Sequence, residues 1–130
     1  MNAVAAMKQY QQVNVHSGVM DASPQRLVQM LMEGALEKIA LAKGYMANNE
    51  IASKGENISK AIAIISGLQA SLDYDSGGEI SENMSHLYDY MCSGLVIANL
   101  RNDASILDEV ASLLVEIKMG WDGIPDAFKH

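Results

Sequence analysis

SPQRLVQMLMEGALEKIALAKGYMAN, residues 23–48, decides the fold. Ser23 offers a hydroxyl to cap a helix, and Pro24 stands at the first helical position, where its missing N–H is not needed. Beyond the cap, Val28, Met32, Ala35, Ile39, Ala42 and Met46 recur at alternating spacings of three and four. That is the period of one face of an α-helix, and such a seam packs on other helices at a shallow angle.

Downstream the pattern repeats. Asn48-Asn49 is a stop, and Glu50 opens a second helix lasting to about Leu72, with Ile58, Ala61, Ile65, Leu68 and Leu72 as its seam. Asp73 through Gly78 reads as a turn with adjacent glycines. A third helix then runs to about Arg101 on Ile80, Met84, Leu87, Met91, Gly94 and Ala98. Asn102-Asp103 breaks it, and Asp103 caps a fourth helix (Ile106, Val110, Leu113, Ile117) that ends near Gly120, with Gly123 and Pro125 closing the structured part. Upstream, residues 1–22 hold Val4, Met7, Tyr10, Val13 and Val15 without a sustained period. Breaks this short force neighbouring helices to run antiparallel. The expectation is an all-α protein: an antiparallel up-down-up-down four-helix bundle over residues 23–124. An irregular or short-helical segment, 1–22, precedes it, and a tail, 125–130, follows.

Composition agrees. A chain of 130 residues has room for one core, and 49% hydrophobic content is enough to fill it. Nine Met and five Tyr stand against one Phe and one Trp, a helical rather than a sandwich-like core composition. The methionines suit either core gap-filling or a surface that adapts to a partner. Nine Lys and Arg against sixteen Asp and Glu give a net charge of −7, and only Arg26 and Arg101 are arginines. Without a basic cluster, nucleic acid and anionic membrane surfaces are excluded as partners. The longest apolar run is five residues, as at Ala61 to Ile65, so no membrane insertion is expected. The N-terminus lacks an apolar stretch of signal-peptide length, and a single cysteine, Cys92, suits a reducing compartment; the expected location is the cytoplasm.

No active site emerges. Di-iron bundles need Glu-x-x-His pairs, but Val13, Asn83 and Ala127 stand three residues before His16, His86 and His130. Glu82 and His86 are spaced as a surface pair, and Cys-x-x-Cys-His is absent, so no metal or cofactor is expected. As a phosphorelay histidine His86 is poorly placed, with Asp89 nearby in place of a cation. Cys92 has no sequence-local base or cation to activate it. Glu33 and Glu37 point away from the seam. The chain is expected not to be an enzyme.

The informative feature lies off the seams. At about 100° per residue, Leu27, Met30, Gly34, Leu41 and Tyr45 form a second apolar stripe on the first helix. On the third, Tyr88 and Leu95 flank one side of the seam and Tyr90 and Ile97 the other, with Val96 nearly opposite. Ile62 and Ile64 are shoulders of the second helix; Val115 and Met119 lie outside the core face of the fourth. An apolar groove rimmed by acids accepts an amphipathic helix. Its occupant is residues 1–22, a second copy of the chain in a homodimer, or a different protein.

Several of these residues resemble the flagellar secretion chaperone FliS family, over nearly the whole chain. They are Tyr10; SPQRLVQMLMEGA at 23–35; Lys60-Ala61-Ile62 with Ile65, Leu68 and Leu72; GGEI from Gly77; LYDYM from Leu87; Ala98-Asn99; and Trp121. Met32 departs from the aromatic that many relatives carry there. The resemblance implies a cytoplasmic chaperone that binds the C-terminal segment of flagellin, prevents its premature polymerisation and delivers it to the flagellar type III export apparatus. It implies an N-terminal cover including Tyr10 that leaves when cargo arrives. Leu27, Leu31, Ile64, Leu68, Tyr88, Tyr90, Leu95 and Asn99 become candidates for lining or supporting the groove, beside Met30 and Gly34 of the second stripe. The alternative is a structural or phosphorelay bundle acting through a subunit interface or His86.

Overall fold

The computed structural model describes residues 23–123. Residues 1–22, with Tyr10, and 124–130 lie outside the described residues. Among the described residues the secondary structure is helical: α1 (Pro24–Ala47), α2 (Ile51–Ala70), α3 (Tyr74–Arg101) and α4 (Ala104–Asp122).

Each boundary has a local cause. Ser23 Oγ accepts the Arg26 N–H at 3.2 Å, and Pro24 fills the first turn of α1. Asn49, with φ 59°, turns the chain out of α1, because a short amide side chain tolerates the left-handed region better than most residues. Asp103 caps α4 by accepting the Ser105 N–H at 2.9 Å. Asn102, with φ 54°, ends α3 in the left-handed conformation. There Lys54, only 6% exposed, crosses from α2 and donates its Nζ to Asn99 O at 3.1 Å and Asn102 Oδ1 at 3.0 Å. A cation at a helix C-terminus meets the negative end of the helix dipole.

The expected turn at Asp73–Gly78 is shorter than the sequence suggested. Helical hydrogen bonding resumes at Tyr74, with Asp73 accepting the Ser76 N–H at 3.1 Å, and the break is confined to Gly78 (φ 51°, ψ −122°).

α1 packs most extensively on α2 and also on α4; α3 packs on α2 and α4. Polar pairs mark the register. Gln29 meets Asp122 and Lys43 meets Asp108 between α1 and α4. Lys54 meets Asn102 and Gln69 meets Ser85 between α2 and α3. Tyr90 meets Glu109 between α3 and α4. The core lies inside this ring: Leu31, Met32, Ile58, Ile65, Leu68, Met91, Leu107 and Leu114 are among its fully buried side chains. Burying each large apolar side chain contributes about 1.5–3 kcal/mol.

Seams one and two stand nearly as read, with Val28 half-buried and Leu72 half-buried at the ends. The third seam is rotated. Ser81, Tyr88, Met91, Leu95 and Ala98 are buried, whereas Ile80 is 74% and Leu87 37% exposed. α3 carries apolar residues on adjacent stripes, and the one it buries holds the large Tyr88 ring. Ile80 sits just past the Gly78 break. Ile64 is likewise core and not a shoulder. On α4 the deepest residues are Leu107, Val110 and Leu114, with Ile106, Leu113 and Ile117 half-buried beside them.

Candidate partner-binding surface

YMCSGLVIANL, residues 90–100 of α3, carries no charge between Asp89 and Arg101. Met91, Leu95 and Ala98 spend that apolarity inward. Tyr90, Val96, Ile97 and Leu100 do not: they are 52%, 47%, 38% and 79% exposed. A surface helix normally shows one apolar stripe and a polar opposite face, so this outer face is anomalous.

Its edges are defined by neighbouring elements. On one side α4 comes close because Gly94 has no side chain; a Cβ there would stand 3.3 Å from Val110 Cγ2 and 3.5 Å from Ile106 Cγ2. The Tyr90 hydroxyl donates to Glu109 Oε1 across that seam at 2.8 Å. This bond, then the Glu109 charge, raises the phenol pKa above its ordinary value, so the ring stays a neutral donor at physiological pH. On the other side lies α2. The Asn99 side chain lies near Gly55, where an added Cβ would be 3.9 Å from Nδ2.

The sequence-derived site residues divide by depth. Leu27, Leu31 and Gly34 on α1, Ile64 and Leu68 on α2, and Tyr88 and Leu95 on α3 are buried in the core. Burial alone pushes the Tyr88 phenol up to about 12. Met30 and Asn99 are half-buried, and only Tyr90 is largely exposed. The second stripe of α1 is therefore mostly interior. Leu27 and Gly34 are buried, Met30 and Tyr45 half-buried, and only Leu41 remains substantially exposed, at 41%. Val115 and Met119 are exposed on α4, as read from the pattern. Leu100 and Ile51, 79% and 74% exposed, went unmarked in the sequence reading. The signal for Leu100 was the length of the charge-free run.

No group of three potential metal ligands exists among the described residues. Among them no helix is long and apolar enough to cross a membrane. Burial raises the Cys92 thiol pKa, opposed by a hydrogen bond with Ser66, which is the reverse of nucleophile activation. His86 is exposed on α3.

Comparison with known proteins gives one answer. The family model described as "Flagellar protein FliS" matches residues 6–127. The chain is 54% identical over 124 residues to the flagellar secretion chaperone FliSB of Pseudomonas aeruginosa, covering 95% of this chain and 98% of that one. It is 46% identical over 125 residues to the flagellar secretion chaperone FliS of Salmonella typhimurium, covering 95% and 93%. With that of Bacillus subtilis it shares 37% over 112 residues, covering 86% and 80%.

Proposed function

The chain belongs to the FliS family, which consists of flagellar secretion chaperones and not of enzymes, and we propose that it binds the C-terminal segment of flagellin in the cytoplasm. Binding keeps that segment from premature polymerisation, and the complex then meets the flagellar type III export apparatus. The observation that carries this reading is the exposed, charge-free outer face of α3 at Tyr90, Val96, Ile97 and Leu100. An apolar helix face of this kind accepts the apolar face of a partner helix through anchors at i, i+3, i+4 and i+7. Leu27, Leu31, Gly34, Ile64, Leu68, Tyr88 and Leu95 then belong to the core that supports the surface, Tyr90 and Asn99 reach its edges, and Met30, half-buried on α1, lies apart from it.

The scaffold in this reading is an antiparallel up-down-up-down four-helix bundle. Its support is the polar register, which joins early residues of one helix to late residues of its neighbour: Gln29 of α1 to Asp122 of α4, Lys54 of α2 to Asn102 at the end of α3, and Glu109 of α4 to Tyr90 in the later half of α3. Residues 1–22, with Tyr10, serve as an intramolecular cover that lowers the open population and hence the apparent affinity. A cargo segment that orders on binding spends about 2–5 kcal/mol of its interaction energy on ordering, which keeps release feasible.

Calorimetric titration of the full chain with a flagellin C-terminal peptide tests the reading. Binding that Ile97→Asp and Leu100→Asp abolish, with helical content unchanged, is the expected result. A peptide that does not bind, or an α3 face that light scattering shows to be closed permanently by a second copy, would overturn it.

A further inference from the structure

Where α1 turns into α2 and α3 into α4, the helix ends line an open cavity of about 180 Å³. Both non-glycine residues with positive φ among the described residues, Asn49 and Asn102, line it. Its lips are Ile51 and Leu100, 74% and 79% exposed. Lys54, 6% exposed, also lines it, and the two acceptors of its ammonium, Asn99 O and Asn102 Oδ1, are neutral. No carboxylate pairs with this ammonium among the described residues.

The charges facing the cavity can be weighed. The C-terminus of α3 offers about half a negative charge against the full charge of Lys54. The last carbonyls of α1 are already occupied: Asn48, Asn49 and Glu50 donate their N–H groups to Gly44, Tyr45 and Met46 oxygens. Glu50 is the one acid on the lining; it is exposed and makes no capping hydrogen bond. A desolvated cation is thus left incompletely compensated beneath two apolar lips, and a buried charge in that condition favours an anionic partner.

We propose that this cavity binds the C-terminal end of a peptide chain, its α-carboxylate meeting Lys54 and its last apolar side chain lying between Ile51 and Leu100. The volume suits about one large side chain, and the α-carboxylate supplies the negative charge that Lys54 lacks. Capture of a terminal carboxylate by a site of this kind is a known recognition mode. The site shares Leu100 with the α3 face proposed for flagellin, while Lys54, Asn102 and Ile51 lie outside that face.

The test is an NMR titration of the isotope-labelled full chain with acetyl-Ser-Gly-Leu-Leu, as the free acid and as the C-terminal amide. The acid should shift the backbone signals of Lys54, Asn99 and Asn102, and the amide should bind about tenfold more weakly or worse, the worth of a hydrogen bond to a charged group. Glu50→Gln should tighten acid binding by removing a like charge. Lys54→Met should abolish it; because Lys54 also closes α3, Ile51→Ser and Leu100→Ser, at exposed positions, weaken binding without that complication. Equal affinity of acid and amide, signals that move elsewhere, or weaker acid binding by Glu50→Gln would overturn the proposal. Flagellin peptide binding measured on the same samples separates the two readings: if it persists while the acid fails, only this one falls.

Discussion

At Gly77 a Cβ would collide with Ser81 Oγ, whose hydroxyl donates to Asp73 O at 2.8 Å, and at Gly78 φ is 51°. A left-handed conformation penalises an L side chain by about 1–2 kcal/mol, and a collision with a buried hydroxyl adds to it. Gly77→Ala and Gly78→Ala should each lower the urea midpoint, Gly77→Ala more, because it also dislodges the Ser81 bond that ties the helix start down. In the core, Leu31 is 0% exposed, and Leu31→Ala should cost about 2–5 kcal/mol in denaturant unfolding. The same burial makes Leu31→Asp a poor probe of partner binding, since it strikes the fold first. Tyr90 and Leu100 are the clean probes. At this scale the sequence was readable where one residue type is nearly obligatory, as at the adjacent glycines and the capping serine. It was silent about Lys54, whose role depends on Asn99 and Asn102, more than forty positions away.

Helix ends carry the pH dependence. Asp73 and Asp103 cap α3 and α4, and both carboxyls are held below their ordinary value of 3.8 by hydrogen bonds: the backbone N–H of Ser76 for Asp73, the side chain and then the backbone of Ser105 for Asp103. A group whose folded pKa lies below its unfolded one adds stability above the unfolded value and loses it as pH falls through the folded value. Both caps should therefore weaken below about pH 4. Urea midpoints measured from pH 7 down to pH 3 should fall, and Asp73→Asn with Asp103→Asn should flatten that fall. At the start of α1, Ser23→Ala should cost about 1 kcal/mol, the usual worth of an N-cap hydroxyl. Caps were legible because their chemistry is local. The face that α3 buries was not: its apolar stripes at Leu87 and Tyr88 are adjacent, and the positions of α2 and α4, the helices it packs on, choose between them.

For the molecule as a whole, a net charge of −7 works against close association of two copies, while the exposed face of α3 calls for a partner. If residues 1–22 compete for that face, deleting residues 1–18 should tighten or speed flagellin binding without unfolding the helices; stopped-flow association rates and circular dichroism read the two effects separately. Unchanged rates would count against the cover. The four helices of the described residues, their limits to within a few positions, and the family were legible in the sequence itself. Period, caps and motifs are properties of neighbouring residues. Which apolar residues remain outside was decided by the tertiary structure. Leu27, Ile64, Tyr88 and Leu95 look like surplus hydrophobics on a helical wheel, yet they are buried, while Ile97 and Leu100 stay 38% and 79% exposed. Burial depends on where other helices stand, and a single helix does not encode that in its own period.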